Sequence, residues 1–346
     1  MFLYNLRLII CYAFFWQSLF PLTVGSNSTP SRQTSIITFP QADTDNTMLG
    51  FTAFEGGVTL ASSRTTVTYD AFFPVSGNVR LNNGQLWLKK DLVFDKALRI
   101  VNGGSIWGGN YSVEFGKLIT DLSMSSSLMF DRTTVTLDTD MTLTAQFMFR
   151  NSCKINGRGK RLLMQDAGSI VVRPGTNLIL EDLELQGLKT NNLRCMTDNG
   201  SITLRNCTLT LERDYTFSRG TILFDEDNVI TGTNKIIYST GFSCTVASLS
   251  TLFLDRGITF SYAPRNASRN LLYMPDETSV LYCNGCTLYS TRTGLQLNSG
   301  TVIVDDSVTF TSEARNSGEA LGLSSSLTVK VMGGAVLTLH GLVKYE

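Results

Sequence analysis

Residues 201–212 read "SITLRNCTLTLE". Ile202 and Leu204 alternate with polar neighbours, then Leu209 and Leu211 do the same. An alternation of period two puts each apolar set on one side of a short strand. Between the two strands stands one polar pair, Arg205-Asn206. Such a pair is either a chemical site or a tight turn, and asparagine suits a turn because it tolerates backbone conformations that most residues avoid. One occurrence cannot separate the two readings. Recurrence can.

The same unit returns from Gln85, Ser105, Ser127, Gln146, Asn177, Thr221, Thr251, Ser279, Thr301 and Val336, with a looser copy from Gly57. "SIWGGNYSVEF", "NLILEDLEL", "TLFLDRGITF" and "TVIVDDSVTF" are examples. From Gln85 onward the starts are separated by 20, 22, 19, 31, 24, 20, 30, 28, 22 and 35 residues. A period near 25 indicates a solenoid. Before several copies lies a further short strand, as in "NLRCMTDNG", "LLYMPDET" and "LQLNSG". Each coil therefore has about three strands and three turns. No leucine-rich-repeat signature, strict six-residue rhythm or four-stranded blade length is present, so those repeat classes are set aside. The polar pairs become turns, and the long spacings (146–177, 221–251, 251–279 and 301–336) are read as loops projecting from the rod.

These strand–pair–strand units, with asparagine in the pair at Asn110, Asn151, Asn206 and Asn284, resemble the right-handed parallel β-helix class, the pectate-lyase-like superfamily. "INGRGKRLLM" followed by "GSIVV" (155–172) is similar to the Ile-x-Gly-x-Gly coil of its polysaccharide-cleaving members. The resemblance covers 51–346 and implies an all-β, single-stranded, right-handed solenoid of about 11–12 coils. It also implies an exported protein of bacterial type. It does not select a function, because the superfamily hosts lyases, hydrolases, tailspikes and adhesins.

The N-terminus has another character. Arg7 is the only charge before an apolar run, which Pro21 and the small-residue stretch "TVGSNS" end. This pattern predicts a signal peptide over 1–25, then a leader and N-terminal cap over 26–50. The expected location is outside the cell, at its surface or in the periplasm, with no transmembrane segment once the signal is removed. The formal net charge is zero, so neither nucleic acid nor an anionic membrane is an expected partner. The expected partners are a cell-surface glycan or protein, and end-to-end self-association through the last coil, which closes at Tyr345.

Candidate chemistry is sparse. His340 is the one histidine, so an HExxH zinc site is excluded, and no G-x-S-x-G elbow or phosphate-binding loop occurs. No catalytic residue is assigned. The acidic turn column Asp225, Glu226, Asp227 and Asp255 could offer oxygens to calcium; no other cofactor is expected. Turn position five reads Asp131, Arg150, Glu181, Arg205, Asp225, Asp255, which predicts a ladder of alternating charge along one edge, failing to alternate only at its acidic end. Tyr262, Arg265, Arg269 and Tyr273 in the stretch 260–275 are candidate ligand contacts for a saccharide. "CNGC" makes Cys283 and Cys286 a disulfide candidate, and the other cysteines read as small core side chains. The expected function is structural, adhesive or carbohydrate-binding without catalysis. The alternative is a lyase or glycoside hydrolase acting on an acidic polysaccharide along one face.

Overall fold

A computed structural model describes, with side chains, residues 85–94, 104–116, 127–165, 167–262, 272–291, 296–317 and 320–345, and the backbone of further strands at 37–39, 45–49, 58–60, 66–70, 79–82, 98–101 and 121–122. The expected signal peptide lies outside the described residues. Every strand pair is parallel, and the strands stack as a β-solenoid of about ten turns, slightly fewer than the repeat count suggests. No helix among the described residues is long and apolar enough to cross a membrane.

The chain winds over three faces. In one coil it runs through Met141–Leu143 on a first face and Gln146–Arg150 on a second. It then enters Cys153–Met164, which covers the third face and, past an irregularity between Asn156 and Lys160, the first face of the next coil. Ser169–Val172 and Asn177–Gln186 repeat that path one layer on. Alternation decides what points inward, as the burial of Ile202, Leu204, Leu209 and Leu211 shows. Inward residues stand on their counterparts: Phe149 stacks on Phe130 at 5.3 Å, and Phe217, Tyr238 and Tyr262 form one column with ring centroids 5.7 and 6.3 Å apart.

The register corrects the reading of the long spacings. The copy from Asn177 does not stack on the copy from Gln146; its first strand lies on that copy's second strand, Cys153 level with Leu178. The same displacement occurs at Thr251, where Leu252 is level with Asn228, and at Val336, where Leu337 is level with Val308. At 146–177, 221–251 and 301–336 the extra residues are thus one more strand and turn, not projecting loops. The strand–pair–strand unit moves from the corner between faces two and three to that between three and one, then to that between one and two, and finally back. At 251–279 the added length falls at 263–271, outside the described residues.

The charge ladder breaks at the same places. Asp131 is level with Arg150, and Glu181, Arg205 and Asp225 are successive neighbours. Within these two corners the sign alternates as expected, and Arg205 Nε donates to Asp225 Oδ2 at 2.7 Å; in the third corner Asp255 and Asp305 flank the neutral Asn284. Arg150 and Glu181 are on different corners, as are Asp225 and Asp255. The failure to alternate at the acidic end is a change of corner, not an accumulation of carboxylates.

At the corners the second residue of the pair takes a positive φ: Arg132 49°, Asn151 62°, Asp182 49°, Asn206 49°, Glu226 59° and Asp306 62°. Aspartate and asparagine enter this region at low cost, arginine and glutamate less readily. Asn110 and Asn284 are not the positive-φ residues of their turns; Gly109 and Gly285 beside them are. The asparagines still link coils through their amides: Asn151 to Asp131 at 2.5 Å, Asn206 to Asp182 at 2.6 Å and Asn284 to Asp255 at 3.0 Å.

Just past the bend sits a buried donor. Thr133 Oγ1 donates to Asp131 O and Ile106 O, Cys207 Sγ contacts Arg205 O and Leu180 O, and Asn228 Nδ2 donates to Asp225 O and Leu204 O. Cys153 reaches Arg150 O and Phe130 O in the same way. Each satisfies a carbonyl of its own bend and one from the preceding coil. These cysteines are therefore weak donors at corners as well as small core residues.

Candidate aromatic binding surface

The outer side of the second face carries Trp87 and Trp107 on successive coils, level with each other. Their ring centroids are 5.0 Å apart with planes at 39°. Trp87 is 40% exposed. Below Trp107 in register come Trp87, Thr68 and Thr47; above it come Asp131 and Arg150. Large aromatics on the solvent side of a strand gain little for the fold, so a pair of them is informative.

The next corner shapes a pocket beside this pair. Trp107 is level with Asp131 and Ser112 with Thr134, so Gly108–Tyr111 fills the place that Arg132 and Thr133 fill one coil later. The longer bend is closed by a hydrogen bond from Tyr111 N–H to Gly108 O at 2.9 Å and tied to the next coil by Gly108 N–H to Asp131 O at 2.9 Å. Gly108 is required there: a Cβ would lie 2.7 Å from Thr133 Oγ1 and 2.8 Å from the Arg132 and Tyr111 carbonyl oxygens. Gly109, at φ 68°, lies against the Trp107 ring. The outcome is an open depression of about 340 Å³ lined by Leu88, Lys89, Trp107, Gly109, Asn110, Tyr111 and Arg132. Tyr111 is 38% exposed. Apolar rings beside an amide, a phenol and two cations give both a stacking floor and directional polar groups.

The residues singled out from sequence are distributed differently. Tyr262 points inward, is 1% exposed and stacks on Tyr238, so it is not a surface contact. Alternation already implied this, since Phe260 two residues earlier is in the core. Tyr273 is exposed and level with Thr245; Arg265 and Arg269 lie outside the described residues. The carboxylates proposed for calcium are not brought together. Asp225 is engaged by Arg205, while Asp255 accepts from Thr231 Oγ1 and Asn284 Nδ2, both at 3.0 Å, on another corner. Among the described residues no group of three or more His, Cys, Asp or Glu is arranged to hold a metal ion. Cys283 and Cys286 are free, buried thiols in the structure. His340 ends a strand level with Thr311.

Trp87 and Trp107 were within reach of the sequence. Both fill the outward position between two inward residues in consecutive copies, "QLWL" and "SIWG". The pocket was not, because it depends on how far the Gly108–Tyr111 bend protrudes relative to the coil above. No family model, curated protein or solved structure matches the chain.

Proposed function

We propose that this protein is an exported β-helix that binds a saccharide non-catalytically on the Trp87–Trp107–Tyr111 surface. The observation that carries the reading is the adjacent, solvent-facing tryptophan pair, tilted at 39°, beside a pocket with polar walls. A pyranose ring has an apolar C–H face that an indole can cover, while its rim hydroxyls need donors and acceptors such as Asn110, Tyr111, Lys89 and Arg132. A rigid stack of parallel coils supports such a surface without spending conformational entropy on ordering it. The leader composition supports export.

The test uses the protein's own fluorophores. The chain has three tryptophans, and Trp16 falls in the expected signal peptide, so emission of the mature protein reports Trp87 and Trp107. Titration with neutral and uronate oligosaccharides should give a saturable change for at least one class. Trp107→Ala should weaken that binding at least about tenfold, equivalent to about 1.4 kcal/mol, with the far-UV spectrum unchanged. Equal affinity in the variant, or turnover of the bound saccharide, would contradict the proposal.

A further inference from the structure

Cys283 and Cys286 flank the bend at Asn284-Gly285, where Gly285 has φ 63°. Cys283 is an inward residue of Val280–Asn284, level with Leu254 and Val304, and is fully buried; Cys286 is 2% exposed. The two residues between them face outward. The Asn284 amide reaches Asp255, and a Cβ on Gly285 would meet Arg256 and Asp306. Both thiols therefore converge inside one corner. In the comparable corner at Leu204–Cys207 the thiol of Cys207 turns to the backbone carbonyls of Arg205 and Leu180. In this corner the neighbouring Cys286 thiol, and then burial, push the Cys283 thiol well up. A bend of this span holds its end Cα atoms within about 7 Å, which overlaps the range of roughly 4.4–6.8 Å that a disulfide needs. The other cysteines beside bends, Cys153 and Cys207, have no second cysteine three residues away.

We propose that Cys283 and Cys286 are joined by a disulfide across this bend when the chain folds under oxidising conditions. Two S–H bonds break and one S–S bond forms. The two electrons and two protons pass to a small-molecule or protein disulfide, which is reduced to two thiols. Only a thiolate attacks a disulfide, and the folded corner raises the Cys283 thiol and buries both sulfurs out of reach of an oxidant. The bond therefore forms while this coil is still open, and the folded, reduced protein is slow to oxidise. Once made, it staples one corner between the first and second faces. In a solenoid, where each coil is held only by its neighbours, such a staple limits how far local opening spreads.

The full chain is unfolded with reductant, then refolded with a mixture of reduced and oxidised glutathione. It is next denatured without reductant, alkylated and mapped by mass spectrometry. The expected result is a peptide containing 283–286 that is unalkylated and lighter by two hydrogen atoms, with the remaining cysteines alkylated. Adding oxidised glutathione to protein already folded in the reduced state should give that peptide much more slowly. Cys286→Val, a choice suggested by the buried Val308 at the same place in the next coil, should leave Cys283 fully alkylated and remove any effect of reductant on thermal unfolding. Alkylation of both thiols after oxidative refolding would overturn the proposal. So would their pairing with other cysteines instead, a result Cys283→Val would expose by leaving Cys286 still oxidised.

Discussion

Replacing Asn228 with leucine tests whether the buried corner donors hold the coils together. Asn228 is 1% exposed. Its amide donates to Asp225 O at 2.8 Å and Leu204 O at 3.2 Å, and its Oδ1 accepts the Cys207 N–H at 3.1 Å. Leucine has similar volume and is tolerated in this column, where Leu183 is buried two coils earlier, so packing alone predicts little change. The polar groups predict otherwise. An orphaned buried N–H costs about 1–3 kcal/mol. The two carbonyls lose about 0.5–1 kcal/mol each, since an under-satisfied oxygen is cheaper than an unpaired donor. The added apolar burial returns about 1–2 kcal/mol. The net loss should be about 2 kcal/mol. Urea unfolding should show a lower midpoint at unchanged slope, and hydrogen exchange should accelerate at the Cys207 amide. Cys207→Ala is the control: it removes only a weak S–H donor and should cost about 1 kcal/mol of hydrogen bonding at most, besides its small volume change. A loss below about 1 kcal/mol for Asn228→Leu, or equal losses for the two variants, would refute the idea that this amide fastens successive coils.

Gly108→Ala should cost about 1–3 kcal/mol, because backbone oxygens at 2.8 Å cannot rotate away; saccharide binding should fall with it, and a variant of unchanged stability and affinity would remove the bend from the site. Arg205 stands between Glu181 and Asp225 with both partners part-exposed, so Arg205→Ala should cost below about 1 kcal/mol. Arg205→Glu should cost more, and added salt should recover most of the difference; insensitivity to salt would show that the ladder is not electrostatic. Burial pushes the Cys195 and Cys207 thiols up to about 12 from an ordinary 9.0. A group raised in the folded state contributes stability that is complete below its unfolded value and is lost as pH rises through the folded one. Urea midpoints should accordingly decline between pH 9 and 12 through these two thiols, and Cys195→Ala with Cys207→Ala should flatten the decline.

The candidate site was partly legible. Trp87 and Trp107 occupy equivalent outward positions in consecutive copies, and that recurrence needs no coordinates to see. Tyr262 shows the reverse error: a tyrosine near an irregular stretch invites a surface reading, although its phase matches buried Phe260. The metal column failed for a different reason. Asp225 and Asp255 hold the same place in the repeat but sit on different corners, so their apparent adjacency had no spatial content.

By itself the amino-acid sequence determines the parallel stack. Alternation fixes which side of each strand is buried, polar or glycine pairs force the turns, and the period of about 25 residues makes neighbouring coils the only partners available. It cannot tell one corner from another, because all corners ask for the same thing: two inward residues around a residue that accepts a positive φ. Only the tertiary register decides whether a long spacing is a loop or an additional strand and turn. That decision places Arg205 between Glu181 and Asp225, separates Asp225 from Asp255, and sets a four-residue bend against a two-residue one to open the pocket beside Trp107.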